Sequence, residues 1–233
     1  MNAILAIETS SGPCSVALDV DGAVERVHVQ APRAHARALL PAIADLLANR
    51  HIGPGDLQAI VYGQGPGSFT GLRIGCAVAQ GLSWAHDLPT FGVSSLEVLA
   101  ERVRAEAADT PAGVITVVDA RMDEVYLAAF ELVDRELVRV LDDQVCASAS
   151  APSALQSVLP ESFTDWLAVG DGVDLVWPER TDVRRSEIRE PDATALLRCA
   201  RGRFAIGAGD ARAVQPVYLR DERRWRKQTL AGP

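Results

Sequence analysis

Lysine occurs once in the 233 residues, at Lys227, and cysteine four times, at Cys14, Cys76, Cys146 and Cys199. Arginine supplies nearly every other cation, which reads as genomic base composition and carries no function. The cysteines are widely scattered with no CxxC pair, which argues against a zinc site and suits a reducing compartment. Histidine is also scarce. Residues 28, 35, 51 and 86 contain no pair four apart, so a helical metal site has no ligands and no metal is expected. No apolar run reaches the ~20 residues that a membrane span needs. The opening MNAILAIETS lacks a basic n-region and a cleavage site, so the expected location is the cytoplasm. A basic surplus is missing too: 23 Lys and Arg stand against 31 Asp and Glu, a net charge of −8. That opposes any broad electrostatic grip on nucleic acid.

What is present centres on residues 63–81, GQGPGSFTGLRIGCAVAQG. Glycines at 63, 65 and 67 allow a tight turn, and Pro66 fixes one φ. Ser68 is a candidate N-cap for a helix beginning near Thr70. That helix is apolar nearly all round, with only Arg73, Gln80 and Trp84 marking a polar side. Gly71, Gly75 and Ala79 form a small-residue stripe. A Walker A loop would need Lys after Gly71, where Leu72 stands. The dinucleotide fingerprint would need glycine at 68, where Ser68 stands. The stretch is therefore read as a tight strand-to-helix turn with close packing, in preference to a phosphate loop.

In chain order, strands are expected over residues 3–7, 14–18 and 24–29, with Asp21-Gly22 turning the second into the third. An amphipathic helix follows over 34–49, its stripe formed by Leu39, Leu40, Ile43, Leu46 and Leu47. Then come a strand over 59–62, the glycine turn and its helix, a strand over 90–93, and a helix from Ser94 or Ser95 to about 108. Residues 109–113 (DTPAG) read as a boundary, dividing a domain of residues 1–109 from a reduced one of 110–233. Beyond it the opening pattern returns: an apolar run over 114–118 ending in Asp119, as the first ended in Glu8, then strands over 125–130 and 137–141. A helix over 153–158, a strand over 166–169, a helix over 193–204 and a last strand over 215–220 complete the reading, with no element assigned to 170–189. The fold expected is α/β, a duplicated ribonuclease H-like (actin-like ATPase) arrangement whose second half is reduced.

In such a fold Glu8 and Asp119 would face one another across a cleft. Glu8, Thr9, Ser10 and Asp119 are thus the candidate cofactor-binding residues, holding Mg²⁺ through waters and phosphate through hydroxyls. Against this, strand ends commonly carry acids. No residue is read as catalytic; Ser68 lacks the GxSxG elbow of a serine hydrolase. Residues 220–227, with five cations and two acids, could touch RNA or a partner, although a solvated tail is the default.

The segments ILAIETS with CSVAL, GQGPGSFTGLRIGCAVAQGL, LPTFGVSSLEVLA, DARMDEVY and PVYLRDERRWRK together resemble the TsaB (YeaZ) family of bacterial tRNA threonylcarbamoyladenosine proteins. The resemblance runs from end to end and is weakest over residues 148–190. It implies the duplicated actin-like fold and a cytoplasmic subunit with no activity or cofactor of its own. It also implies pairing with the catalytic relative TsaD, help from the ATPase TsaE, tRNA contact only within the complex, and a homodimer when alone. The metal-binding His-x-x-x-His of TsaD falls here on Ser95 and Leu99, which cannot replace it. The partner interface that the family implies is the first two helices, read here as Leu39, Ile43, Leu47, Gly71, Leu72, Gly75, Cys76 and Ala79. A nucleotide-dependent ATPase or phosphotransferase is the alternative, and a peptidase has only a historical grouping behind it.

Overall fold

The computed structural model describes residues 2–29, 35–107, 109–159, 165–179, 183–201 and 211–220. Strands β1 (Ala3–Glu8), β2 (Cys14–Val20) and β3 (Ala23–Val29) form an antiparallel meander. Helix α1 (His35–Asn49) leads to β4 (Ala59–Gly65), α2 (Phe69–His86), β5 (Thr90–Ser94) and α3 (Ser95–Glu106). The second meander is β6 (Gly113–Arg121), β7 (Glu124–Val133) and β8 (Glu136–Ala147). After it come α4 (Ala151–Gln156), β9 (Trp166–Val169), α5 (Val173–Val176), β10 (Arg184–Arg185) and α6 (Ala193–Arg201).

The duplication is complete in sheet topology. The first sheet has the order β3-β2-β1-β4-β5 and the second, read in the same sense, β8-β7-β6-β9-β10. In each, the leading strand pairs antiparallel with its hairpin partner and parallel with the strand that comes after the first crossover. Burial on both faces explains the continuous apolar runs of β1, β4 and β6.

Alternating β1 side chains divide between two cores. Ala3, Leu5 and Ile7 meet Leu39, Ile43, Leu46 and Leu47 of α1 and Cys76 and Ala79 of α2. Ile4 and Ala6 meet Leu196, Leu197 and Ala200 of α6. Helix α3 lies beside α6 and lays Leu96, Leu99 and Val103 on Val114, Phe130 and Leu167 of the second sheet. The far face of that sheet is covered by Ala151 and Leu155 of α4 and by Val173 and Trp177. The layers run α1/α2, first sheet, α6/α3, second sheet, α4/α5.

Several boundaries differ from expectation. Residues 170–189 hold α5 and β10. β4 continues to Gly65, three residues beyond the apolar run, because its neighbour β5 keeps pairing through Gly63 and Gly65 across a register shift. β8 extends to Ala147, since pairing along β7 outlasts the apolar pattern. α4 starts two residues early, with Pro152 in its first turn where no N–H is needed. Residues 215–220 are not a strand: the segment donates one backbone bond to the end of β4, from Val217 N–H to Gln64 O at 2.7 Å. α6 is described to Arg201; the rest of that expected helix, residue 108, Ala34 and the basic residues 223–227 lie outside the described residues.

Candidate functional site

The glycine turn is shaped by the turn after β1, which crosses the start of α2. Ser68 caps the helix, its Oγ accepting from Gly71 N–H at 3.3 Å. Ser68 N–H donates to Ser10 O at 2.7 Å, and Thr9 Oγ1 donates to Gly71 O at 2.9 Å. Side chains at the glycines would collide with this turn. A Cβ at Gly67 would stand 2.3 Å from Ser10 O, at Gly71 2.0 Å from Thr9 O, and at Gly75 2.2 Å from Thr9 Oγ1. Glycine at these positions is therefore explained by the protein's own Thr9–Ser10 turn, through its backbone at Gly67 and Gly71 and through the Thr9 side chain at Gly75. Gly67 also has φ +155°, in the region that glycine tolerates.

The burial of these residues bears on both site readings drawn from the sequence. Glu8, Thr9 and Ser10 do not line an open phosphate cradle, because they are 1%, 0% and 5% exposed. Thr9 spends its hydroxyl on α2, while Ser10 donates its N–H (2.7 Å) and its hydroxyl to Glu8. Among the described residues the Glu8 Oε2 has no hydrogen-bond partner; it faces Gly63, where a Cβ would lie 2.1 Å away. Burial pushes the Glu8 carboxyl above its ordinary range, and Asp192 adds to the rise. The same burial, helped by Glu8, holds Cys14 up at about 11 and Cys76 up at about 12, so both stay thiols. Asp119 keeps other company. It accepts from Arg121 N–H at 2.7 Å and pairs with the Arg121 guanidinium, while its own N–H donates to Asp171 Oδ1 at 2.9 Å. Asp171 is raised by burial; the hydrogen bond from the Asp119 N–H opposes the rise, and the Asp119 charge adds a smaller push upward.

The second correction concerns the helices. Leu39, Ile43, Leu47, Leu72, Cys76 and Ala79 are all 5% exposed or less, and Gly71 and Gly75 are buried. Each fills this chain's own core. Periodicity finds the stripe that faces the sheet, and these residues are that stripe. The residues that reach solvent sit beside them: Leu40 on α1 at 53% and Trp84 on α2 at 68%, with Pro41, Ala44, Ala77 and Gly81 also exposed. The signal that could have found them was Trp84 itself, an aromatic on the polar side of an apolar helix. Ser95 and Leu99 are buried at the start of α3.

Comparison with known proteins agrees with this arrangement. The family model for TsaD, tRNA N6-adenosine threonylcarbamoyltransferase, matches residues 27–166. The chain is 35% identical to the tRNA threonylcarbamoyladenosine biosynthesis protein TsaB of Escherichia coli, with 96% of this chain and 97% of that protein aligned. It is 34% identical to TsaB of Haemophilus influenzae, over 96% of each. Among solved structures it superposes on YeaZ from Pseudomonas aeruginosa with TM-score 0.83 at 34% identity, covering 94% of this chain and 100% of that one. The match to TsaB proteins spans both halves end to end, whereas the transferase model covers the middle, so the chain belongs to the TsaB (YeaZ) family of tRNA threonylcarbamoyladenosine biosynthesis proteins.

Proposed function

We propose that this chain is a non-catalytic subunit that pairs with and activates a TsaD-type transferase in forming threonylcarbamoyladenosine beside the tRNA anticodon, with a TsaE-type ATPase assisting. The observation that carries the reading is the filled cradle. The turn where a phosphate would approach is closed by the chain's own Thr9 and Ser10, and the two positions of the transferase's metal-binding histidines hold a buried serine and a buried leucine. What remains for function is surface. The outer side of α1 and α2 presents Leu40 and Trp84 to solvent, and aromatic anchors at the centre of a patch are the residues that dominate association. Two copies that present the same patch to each other across a two-fold axis would form a homodimer when no partner is present.

The test uses Leu40→Asp and Trp84→Ala. Both side chains are exposed, so melting of the isolated chain is expected to stay near that of the parent. Co-purification with the transferase from the cell extract, and threonylcarbamoyladenosine formation by the mixed subunits, are expected to fall by tenfold or more, as loss of a hot spot of ~2 kcal/mol implies. Undiminished pairing, or transfer activity by this chain alone, would overturn the proposal.

A further inference from the structure

Three side chains that the proposed pairing does not use meet at the amino end of α2. Phe69 opens the helix and is 55% exposed; Tyr218, 42% exposed, arrives from the extended segment beyond β10 and α6; Arg73 lies between them. The Arg73 guanidinium carbon stands 3.8 Å from the Phe69 ring centroid and 5.9 Å from that of Tyr218, and the two rings are 5.6 Å apart at 40°. Arg73 Nε donates to the Tyr218 hydroxyl at 3.0 Å, which fixes the guanidinium plane. Among the described residues its two terminal amines carry no hydrogen bond.

Both ends of the Tyr218 segment are anchored. Upstream, the Tyr62 hydroxyl accepts from Gln215 N–H at 3.2 Å and Val217 is tied to Gln64 at 2.7 Å. Downstream, Arg220 donates to Ala120 O at 3.0 Å and to the carboxylate of Glu124. The platform is thus held in place before anything binds, which lowers the ordering cost of binding.

Two exposed aromatic faces with a planar cation between them suit a flat heteroaromatic ring that carries negative charge next to it. The guanidinium terminus is the group that a phosphate oxygen takes up. Aromatic surface and the Arg73 charge therefore coincide here. Trp84, fifteen residues along α2 from Phe69, is ~22 Å away at 1.5 Å per residue, so the Trp84 anchor and the platform lie towards opposite ends of the helix.

We propose that Phe69, Arg73 and Tyr218 form a stacking platform for unpaired nucleotides of RNA, and that in the working complex the RNA is the tRNA under modification. The second half of that statement rests on the proposed function, while the first does not. Two arms keep them apart. In the first, tRNA affinity is measured for the complex of this chain with its transferase. The double variant Phe69→Ala/Tyr218→Ala is expected to weaken binding about tenfold, the loss typical of one stacked base, with subunit pairing unchanged. Arg73→Ala is expected to lower the salt slope by about one. Arg73→Lys keeps that slope and loses part of the affinity.

The second arm uses the isolated chain and a single-stranded oligoribonucleotide at low salt, with crosslinks mapped to peptides. Crosslinks at Phe69 or Tyr218 that vanish in the double variant support the platform even if the chain fails to pair with a transferase, which would sink the proposed function alone. Crosslinks elsewhere, tRNA affinity unchanged within twofold, or variants that weaken subunit pairing and leave tRNA binding intact would each overturn the platform; the last would make it a protein contact.

Discussion

The two halves share one sheet order and have diverged downstream of the parallel crossover strand. After β4 the first half grows an 18-residue helix, whereas after β9 the second half makes a single turn over Val173–Val176. The same local device appears in both. A glycine of the crossover connection sits against the end of the leading strand: Gly71 on Thr9 O in the first half, Gly170 on Val117 O and Gly172 on Asp119 N in the second. The approach is equally close in both, 2.0 Å for a Cβ at Gly71 and 2.1 Å for one at Gly170, and the difference lies in how the acid ending the leading strand is treated. Glu8 is buried under Gly63, and Asp119 is left at the surface with Arg121. A sheet order survives the loss of its helix, because strand pairing and two-faced burial maintain it.

The strongest way to break this comparison is to widen both turns. A Cβ at Gly71 would stand 2.0 Å from a backbone oxygen that cannot swing away, whereas one at Gly172 meets its nearest atom at 2.9 Å. Gly71→Ala is expected to cost about 3 kcal/mol, the upper end for overpacking, lowering Tm by roughly 6–12 °C for a chain of this size. Gly172→Ala is expected to cost less than half as much. Thermal melts of both variants decide it; equal losses would mean that these two positions are equally crowded. The same collision bears on Gly75, whose Cβ would meet Thr9 Oγ1 at 2.2 Å. Gly75→Leu therefore destabilises the folded chain itself, before any partner is considered.

How much of the fold and site was legible in the sequence divides along the same line. The leading strands, the Asp21-Gly22 hairpin, the Ser68 cap and the repeat of an apolar run ending in an acid were all readable, because each rests on local pattern. The direction in which the glycine stripe faces was not. A stripe at 71, 75 and 79 admits a neighbour, and only the fold says that the neighbour is Thr9 of the same chain. The exposure of Leu40 was hidden for a related reason. It sits in the same leucine-rich run as Leu39, and a shift of one residue around a helix turns a side chain by about 100°. The extended segment at 215–220 reads as a strand because its apolar alternation is real, although its partners are a tyrosine hydroxyl, one carbonyl and a distant turn.

That segment supplies the second experiment, on whether the halves act as one unit. Arg220 is 17% exposed at its side chain and binds the turn between β6 and β7 through Ala120 O, Arg121 O and Glu124, while Val217 binds the end of β4 in the other half. Arg220→Ala removes charge-assisted bonds typically worth ~1.5–3 kcal/mol together with the cross-link between the two turns. A loss of about 2 kcal/mol in denaturant midpoint stability is expected, with exchange protection falling at both the glycine turn and the β6–β7 turn. Loss of protection at one turn alone would show that the segment belongs to a single half.

The finest contrast is between the two acids at the ends of the leading strands. Glu8 accepts from Ser10 and from the Thr9 backbone, its Oε2 has no hydrogen-bond partner among the described residues, and burial raises its folded pKa above the ordinary 4.5. A raised carboxyl means that the folded chain holds the proton more tightly than the unfolded one. Its penalty is absent below 4.5, grows as pH climbs from there towards the raised value, and is complete above it. Asp171 and Glu190 are raised in the same direction, so they contribute a slope of the same sign that remains when Glu8 is changed. Glu8→Gln keeps an oxygen for Ser10 and removes the charge. The variant is therefore expected to gain stability relative to the parent as pH rises from 5 to 8, and to match or exceed it at pH 8. Asp119→Asn keeps an acceptor for Arg121 N–H and loses only an ion pair with a side chain that is 82% exposed. Its expected cost is ~0.5 kcal/mol, within the usual range for such pairs. Denaturant titrations of both variants across that pH range check the contrast. If Glu8→Gln instead loses stability at every pH, the unpartnered oxygen of Glu8 has a cationic or hydrogen-bonding partner in solution. The first half would then share with the second an acid that is paired at the end of its leading strand.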